Sequence, residues 1–169
     1  MDYLWSPWRS AYIDSFKDKN PDSKEGCFIC DGIHSENEDA ERLILQRRKN
    51  CIILMNKFPY TTGHLLIAPL RHIGNFTELN DEELLDIMQS IRDSIKIIDE
   101  ALSPQGYNIG VNLGQVAGAG LPDHLHFHLV PRWNGDKNFM FVIGDTNMLS
   151  FSNENIYNKL KEYYDKIGL

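Results

Sequence analysis

The chain has 169 residues, of which 42% are hydrophobic and 11% aromatic, so it can bury one core but has little material for a second domain. Its formal net charge of −7 argues against a general nucleic-acid surface, because binding to a polyanion requires clustered Lys and Arg. The apolar stretches are too short to span a bilayer, and the first residues lack the basic and apolar regions of a signal peptide. We therefore expect one cytoplasmic domain over 1–169, with no nucleic-acid or membrane partner.

The first part of the chain combines an aromatic arm with a pair of cysteines. The arm, residues 1–26, contains two tryptophans close together, so we expect it to pack on the domain or on a second subunit. Cys27 and Cys30 form a C-x-x-C pair, which in a reducing compartment favours metal binding or redox chemistry over a structural disulfide. A redox role is disfavoured because no βαβ pattern surrounds the pair.

Three strand signals follow, separated by turn-rich segments, and they predict an antiparallel meander. The predicted strands are 43–46, 51–55 and 64–68. Pro69 is expected to end the third strand, and Cys51 is interpreted as a small core residue. The basic run Arg47-Arg48-Lys49 lies in the first turn, and we interpret it as a solvated turn and not as a binding patch.

The central part of the chain predicts a long helix. Asn80 supplies an N-cap and Glu83, three residues on, supplies its capping-box partner. Apolar residues then recur at three- and four-residue spacing, which indicates a helix of about twenty residues with one stripe facing the sheet. The members of this stripe are Leu84, Ile87, Met88, Ile91, Ile95 and Ile98.

The remaining elements complete an α+β fold. A strand is expected over 107–112, a glycine-rich loop over 114–120, a second strand that ends at Pro131, and a helix over 153–167 within a C-terminal extension, 150–169. We therefore predict an antiparallel sheet of about five strands, with one long helix packed on it and a C-terminal helix.

The second of these strands, Asp123–Leu129, contains three of the six histidines of the chain. Because side chains alternate along a strand, the histidines share one face and the apolar residues share the other. The histidines are His124, His126 and His128, and the apolar residues are Leu125, Phe127 and Leu129. A row of imidazoles suits either a metal site or nucleophilic and acid–base chemistry on phosphate. The adjacent Gly118-Ala119-Gly120 favours phosphate, because backbone N–H groups in such a loop can approach an anion.

Together with their surroundings, these motifs resemble the histidine-triad (HIT) superfamily of nucleotide hydrolases and transferases. The resemblance rests on Gly114-x-x-x-Gly118, the H-x-H-x-H row and Leu129-Val130-Pro131-Arg132-Trp133. The segment Asn56–Pro69 is similar to the family pattern N-x-x-P-x-x-x-G-H-x-L-(I/V)-x-P, and the whole resemblance extends from about Cys27 to Asn138. The aromatic arm, the cysteine pair and residues 131–140 look most like the bacterial diadenosine tetraphosphate (Ap4A) phosphorylase-like branch.

The resemblance implies that His126 attacks the α-phosphate of a nucleotide and forms a nucleotidyl-histidine intermediate. An imidazole can do so at neutral pH if its other nitrogen donates to a fixed acceptor, and a carbonyl of the glycine-rich loop could serve. By the same resemblance His128 assists the phosphate or bridging oxygen, and His64 lies near the active face. No metal is required for this chemistry.

Further residues are implied to bind the nucleotide. They are Asn56, Asn112, Gly118, Gly120, His124 and His128. Simpler structural interpretations stay open for three positions: an asparagine turn at Asn56, a strand-end amide at Asn112, and a buried, hydrogen-bonded histidine at His64.

A structural zinc is implied as well. Some relatives complete the cysteine pair with two histidines, which here are His72 and His124, so that Cys27, Cys30, His72 and His124 would form a closed tetrahedral set. Such a zinc would fasten the N-terminal arm to the sheet and would have no open position for substrate. His34, which follows Cys30 closely, is a competing ligand that spacing does not exclude.

The leading functional hypothesis is cleavage of dinucleoside polyphosphates of the Ap4A type, either by water or by phosphate. A polyphosphate leaving group has a pKa of about 6 to 7, so it departs with little help from an acid. The alternatives are a nucleoside phosphoramidase or adenylyl-conjugate hydrolase, and a nucleotide-binding sensor or interaction module without turnover. We expect a homodimer, because the arm and the helix offer more apolar surface than one small sheet covers, and because relatives pair through sheet and helix.

Overall fold

The structure is a computed structural model that describes residues 26–136 and 151–167. Within these ranges the chain forms three α-helices, five β-strands and two short 3-10 helices. In chain order they are α1 (Phe28–His34), β1 (Ile44–Arg47), β2 (Cys51–Met55), β3 (Leu65–Pro69), a 3-10 helix (Phe76–Glu78), α2 (Asp81–Leu102), β4 (Gly106–Val111), a 3-10 helix (Gln115–Ala117), β5 (Phe127–Arg132) and α3 (Asn153–Ile167). Among these helices, none is both long and apolar enough to cross a membrane. The predicted aromatic arm lies, except for Gly26, outside the described residues.

The five strands form one antiparallel sheet in the order β1-β2-β3-β5-β4. β5, which contains the last histidine of the row, His128, therefore lies between β3 and β4 and has a neighbour on each side. The predicted α+β class, with about five antiparallel strands, one long helix and a C-terminal helix, is confirmed.

Helix α2 begins as predicted, with a capping box between Asn80 and Glu83. Its apolar stripe differs from the prediction at Met88, which is 46% exposed. Ile97 and Ala101 are buried instead, because the buried face follows the 3.6-residue period through Ile87 and Ile91 and leaves Met88 at its margin. Together with α3, this helix covers one face of the sheet and forms the main core.

The basic turn between β1 and β2 is not fully solvated, and that interpretation is wrong for Arg48. The Arg48 side chain is only 15% exposed and donates to Asp86 at 2.9 Å and to Asp93 at 3.3 Å. Asp86 also accepts from the Asn50 N–H at 2.8 Å. The turn thus carries a guanidinium into the polar part of the α2 face, whereas Lys49 beside it is exposed. This ion-pair network fastens the turn to the helix.

The strand limits shift slightly from those predicted. β1 begins at Ile44 because Leu43 has a φ of 58°, which an extended strand does not accommodate. β3 runs from Leu65 and includes Pro69 as its last residue, and β4 spans Gly106–Val111 in place of 107–112. Cys51 is fully buried in the core, as predicted.

Candidate active site and metal centre

Only the last histidine of the row, His128, lies within β5, whereas His124 and His126 precede it. The predicted strand, expected to begin at Asp123 and to end at Pro131, is wrong at its start, since β5 begins at Phe127 and continues to Arg132, one residue past the predicted end. Pairing with β3 ends at Ile67 and Phe127; before that point the Leu125 N–H donates to Ile73 O at 2.7 Å, and His124 Nε2–H donates to Pro69 O at 2.9 Å. The carbonyl of Pro69, the last residue of β3, thus fixes the orientation of the His124 ring.

Although the strand begins later than predicted, the side chains of the row still alternate between the two faces of the sheet. The apolar residues of the row, Leu125, Phe127 and Leu129, are buried in the main core under α2. His128 lies opposite Leu66 of β3, which belongs to a second buried cluster on the other face of the sheet, beneath α1. The histidines thus lie on the α1 side of the sheet, away from α2.

His126 is held in one tautomer. Its Nδ1–H donates to the carbonyl oxygen of His124 at 2.8 Å, and since a carbonyl can only accept, the proton is on Nδ1 and the lone pair is on Nε2. The prediction that a carbonyl of the glycine-rich loop accepts this proton is therefore wrong, since the acceptor is the carbonyl of His124. Burial lowers the pKa of His126 although this hydrogen bond opposes the shift, so the ring is neutral at pH 7.

His64 is fully buried and also has a fixed tautomer. Its Nδ1 accepts from the Tyr60 backbone N–H at 3.2 Å, so its Nε2 carries the proton and donates to His128 Nδ1 at 3.0 Å. Burial, and after it the charges of His128 and His126, lower the pKa of His64 to about 3. When His128 is neutral, its proton is on Nε2.

Sequence reasoning did not identify Tyr60. Its ring stacks on His64, with centroids 4.7 Å apart, and lies 5.9 Å from the ring of His128. The available signal was an aromatic residue in a polar turn, four positions before a histidine.

Two asparagines have local partners. Asn56 Oδ1 accepts from the Phe58 N–H at 2.9 Å, which is the asparagine turn, and its Nδ2 lies 3.3 Å from His64 Nδ1. Asn112 directly follows β4, and its Nδ2 donates to the carbonyl of Gly118 at 3.4 Å. The side chain of Asn56 thus supports His64 directly.

Several backbone N–H groups of the glycine-rich loop donate hydrogen bonds within the loop itself. Gly118 has a φ of 90° and donates its N–H to Gln115 O at 2.9 Å, and the Ala119 N–H donates to Gly114 O. A nucleotide contact at Gly118 therefore depends on its missing side chain and not on its N–H. Gly120 is half-buried at the end of the same loop.

Two cysteines and two histidines come together beneath α1. The ligand atoms of Cys27, Cys30, His72 and His124 all lie within 4.8 Å of one another. Cys27 Sγ is 3.2 Å from His124 Nδ1, and Cys30 Sγ is 3.2 Å from His72 Nδ1. A tetrahedral zinc with Zn–S of about 2.3 Å and Zn–N of about 2.0 Å places S and N about 3.5 Å apart, so the set fits zinc.

The orientation of His124 suits a metal ligand. Because its Nε2–H is donated to Pro69 O, its Nδ1 lone pair points towards the two thiols. Burial lowers the pKa of His124 to about 4, which keeps the ring neutral. The competing ligand His34 is exposed in the last turn of α1 and lies outside the group of four.

A cavity of about 500 Å³ lies next to the histidines. Apolar side chains of α1, β1 and β2, among them Phe28, Ile29 and Leu54, line it together with Asn56 and with charged residues, which are Asp31, Glu41, Arg42 and Lys57. Since Asn56 also contacts His64, the cavity adjoins the histidine site. Its volume is in the range of small-molecule sites.

Comparison with known proteins agrees with this arrangement. A family model described as the HIT domain matches residues 37–135. The AP-4-A phosphorylase of Mycobacterium tuberculosis is 34% identical over 147 residues, which cover 86% of this chain and 75% of that protein. This chain belongs to the HIT family. A bis(5'-nucleosyl)-tetraphosphatase [asymmetrical] from Schizosaccharomyces pombe is 32% identical over 93 residues, covering 55% of this chain and 50% of that protein.

A solved HIT structure shares the fold. The Zn-bound histidine triad family protein from Mycobacterium smegmatis superposes with a TM-score of 0.66 at 23% identity, covering 88% of this chain and 98% of that chain. The predicted HIT resemblance is thus confirmed, and the matched residues 37–135 contain all the candidate site residues except the cysteine pair.

Proposed function

We propose that this HIT protein cleaves dinucleoside polyphosphates such as Ap4A at the α-phosphate, through a nucleotidyl intermediate on His126. The observation that carries the proposal is the fixed tautomer of His126, whose Nδ1–H on the His124 carbonyl leaves the Nε2 lone pair for attack. The neighbouring His128 and the adjoining cavity supply the other parts of a nucleotide site. The AP-4-A phosphorylase and tetraphosphatase relatives support this substrate class.

In the first half-reaction, His126 Nε2 forms a bond to the α-phosphorus, and the bond from phosphorus to the bridging oxygen breaks. The bonding electrons leave with the polyphosphate, whose pKa of about 6 to 7 lets it depart unprotonated. The imidazole becomes positively charged, and its Nδ1–H bond to the carbonyl of His124 strengthens with that charge. His128 donates from Nε2 to the phosphate or bridging oxygen.

In the second half-reaction, water or inorganic phosphate attacks the same phosphorus, and the P–N bond breaks; attacking water releases one proton to the solvent. The electrons of that bond return to Nε2 of His126, which restores the neutral ring. His64 acts on His128 as a positioning residue, because its Nε2–H fixes which nitrogen of His128 carries the proton.

The cavity under α1 is the proposed pocket for the first base. The apolar part of its lining suits the faces of a purine, and Asn56, which lines the pocket, also contacts His64. The nucleotide contacts predicted for Asn112, Gly118, Gly120 and His124 belong to this proposal.

We assign the four-residue cluster to a structural zinc. Cys27 and Cys30 from the start of α1 would hold it together with His72 and His124, and the Zn-bound relative supports this choice of metal. With four protein ligands the zinc has no open position, so its contribution is to join three chain segments. The reaction itself then uses only side chains of the protein.

The proposed assembly is a cytoplasmic homodimer. Among the described residues β4 is an edge strand of the sheet; the exposed Ile109 lies on it and the exposed Leu113 lies two residues after it. An unpaired strand edge with apolar side chains suits a self-complementary contact between two copies.

A phosphoramidase is the second candidate function. The adenosine 5'-monophosphoramidase hnt1 of Schizosaccharomyces pombe is 36% identical over 76 residues, which cover 45% of this chain and 53% of that protein. The two activities share the adenylyl half of the substrate and differ in the leaving group.

Product analysis of Ap4A with and without inorganic phosphate tests the proposal. Hydrolysis gives AMP and ATP, whereas phosphorolysis gives ADP and ATP. We expect one of these product pairs from the wild type and a loss of at least about a thousandfold in the His126→Ala variant. Absence of any nucleotide product from Ap4A, combined with cleavage of adenosine monophosphoramidate, would favour the second candidate.

A further inference from the structure

Tyr60, in the turn between β2 and β3, contacts two histidines of the site but takes no part in either half-reaction. Its ring stacks on the ring of His64, with centroids 4.7 Å apart and planes at 29°. The same ring lies 5.9 Å from the ring of His128, with planes at 25°. Its backbone N–H donates to His64 Nδ1 at 3.2 Å. Tyr60 therefore acts on His64 through its ring and its backbone at once.

Contacts to two other elements fix the turn that carries Tyr60. The hydroxyl of Thr61, the next residue, donates to the carbonyl of Pro131 in β5 at 2.8 Å. Asn153, at the start of α3, donates from Nδ2 to the carbonyl of Lys57 at 3.1 Å. The position of the Tyr60 ring is therefore set by β5 and α3, and not by its stacking on the histidines alone.

The hydrogen bonds around His64 all run in one direction. The Phe58 N–H donates to Asn56 Oδ1 at 2.9 Å, which leaves the amide NH2 of Asn56 facing His64 Nδ1 at 3.3 Å. The Tyr60 N–H donates to the same nitrogen, so His64 carries its proton on Nε2 and donates to His128 Nδ1 at 3.0 Å. The backbone of the turn thereby determines that neutral His128 has its proton on Nε2.

The direction of these bonds does not by itself hold the rings in place. The χ2 torsion of histidine is broad, so a hydrogen bond between two imidazoles needs a further contact that restricts both planes. His64 and His128 have centroids 5.2 Å apart and are tilted by 38°. Tyr60 lies nearly parallel to both rings, and stacked aromatic pairs of this kind are favourable. Its ring thus limits the rotation of both imidazoles.

We propose that Tyr60 is a positioning residue of this active site, which acts through His64 to keep the Nε2–H of His128 directed at the substrate phosphate. This inference rests on the proposed function, in which His128 is a donor. The backbone N–H of Tyr60 sets the tautomer, and the Tyr60 ring sets the planes. A His128 ring with the other tautomer would present a lone pair to the phosphate oxygen, and the hydrogen bond would be lost.

NMR spectra of the ring nitrogens test the proposal without a substrate. In protein labelled with 15N-histidine, long-range 1H–15N spectra distinguish a protonated from an unprotonated ring nitrogen. At about pH 8.5, above the ordinary histidine pKa of about 6.5, wild type and Tyr60→Phe should show His128 with its proton on Nε2. Tyr60→Leu, which lacks the ring, should show both tautomers. A wild-type His128 protonated on Nδ1, or a Tyr60→Leu spectrum identical to wild type, would overturn the proposal.

The kinetics of Ap4A cleavage should follow the same pattern. Tyr60→Leu should lower kcat by about three- to tenfold, the range expected for loss of one stacked aromatic pair, with KM within about twofold of wild type. Tyr60→Phe, which keeps the ring and the backbone N–H, should retain kcat within about twofold. A rise in KM with unchanged kcat would overturn the proposal and assign Tyr60 to substrate binding. Equal losses in the phenylalanine and leucine variants would also overturn it.

A double variant tests whether Tyr60 acts through His64. When His64 is already leucine, adding Tyr60→Leu should lower kcat by less than about twofold, because residues that act in one series are not additive. A further three- to tenfold loss in the double variant would show independent action and would overturn the proposal.

Phe76→Leu is the matched control for loss of a half-exposed aromatic ring. Phe76 is 36% exposed against 37% for Tyr60, and its ring lies 6.0 Å from that of Phe127, away from the histidines. Phe76→Leu should lower the melting temperature about as much as Tyr60→Leu but leave kcat and the His128 tautomer unchanged. Equal losses of kcat in both variants would overturn the proposal, since they would indicate a general loosening of the fold.

Failure of the proposed function is seen separately, in the wild type. A wild-type protein that releases no nucleotide from Ap4A contradicts the proposed function before any variant is made. The NMR spectra need no turnover, so a wrong tautomer of His128 in a wild type that cleaves Ap4A contradicts the role of Tyr60 alone.

Discussion

The two faces of the sheet differ in how polar groups are used. On the α2 face, Arg48, Asp86 and Asp93 are buried and pair with one another, so their charges hold the structure together. On the α1 face, His64 and His126 are buried with their tautomers set by backbone groups, so they keep a defined donor or lone pair for chemistry. Burial of a polar group thus serves stability on one face and reactivity on the other.

The proposed metal cluster contributes both to stability and to the orientation of the reactive histidine. His124 would bind zinc through Nδ1, while its backbone carbonyl holds the Nδ1–H of His126. Changes at the cluster should therefore affect both stability and turnover, whereas a change at Arg48 should affect stability alone, and a change at His64 should affect turnover, with an effect on stability only below pH 6.5.

The largest combined effect is expected for Cys30→Ser. Loss of one thiolate should abolish zinc binding, because the site has four protein ligands and no spare donor among the described residues. We expect zinc content measured by mass spectrometry to fall from about one per chain to near zero, with a lower melting temperature and a lower kcat. His34→Ala, at an exposed position beyond the cluster, should leave all three unchanged. Full zinc retention in Cys30→Ser would contradict the assignment of the ligands.

A large effect on stability alone is expected for Arg48→Met. The substitution leaves the buried carboxylates of Asp86 and Asp93 without this partner, so the free energy of unfolding should fall by about 3 kcal/mol. Urea denaturation measures the change, and kcat/KM of the folded protein should stay within about twofold. Lys49→Met, in the exposed part of the same turn, should cost less than about 0.5 kcal/mol. A large loss of turnover in folded Arg48→Met would break the contrast between the faces.

A smaller effect on turnover is expected for His64→Leu, which removes the donor that fixes His128. We expect kcat to fall by about 10- to 100-fold with little change in KM, and His64→Gln, which keeps a donor and an acceptor, to recover part of it. Equal losses in the leucine and glutamine variants would indicate that the hydrogen bond to His128 is not what matters.

The pH dependence of stability tests whether His64 is buried and neutral in the folded protein. The folded pKa of His64 is about 3, below its ordinary value near 6.5, so the unfolded chain binds the extra proton. His64 therefore contributes stability that is fully present above pH 6.5 and is lost as pH falls towards 3. Between pH 6.5 and 4.5, wild-type protein should lose up to about 1.4 kcal/mol more per pH unit than His64→Leu in urea denaturation. Parallel pH profiles for the two proteins would contradict a buried, neutral His64.

Local signals in the sequence were sufficient for much of the fold. The capping box of Asn80 and Glu83, the helical period of α2 and the alternation around Phe127 each depend on neighbours along the chain, and each is found in the structure. The zinc ligands came from the family resemblance, since spacing alone left His34 open.

The features that sequence did not predict depend on contacts between distant segments. Arg48 is buried only because α2 brings Asp86 and Asp93 to the β1–β2 turn, and the ring of His124, before the start of β5, is held by Pro69 on another strand. The carbonyl that holds His126 is only two residues away, yet its direction depends on the anchoring of His124 by Pro69. The cavity is likewise enclosed by three elements that are separate in sequence.

The central claim is that His126 Nε2 forms the covalent bond to the nucleotide. Wild-type protein mixed with Ap4A, quenched rapidly in alkaline denaturant and digested should give an adenylyl group on the peptide position of His126, located by tandem mass spectrometry. The adduct should be absent from His126→Ala. An adduct on His64 or His128, or undiminished cleavage of Ap4A by His126→Ala, would contradict the account.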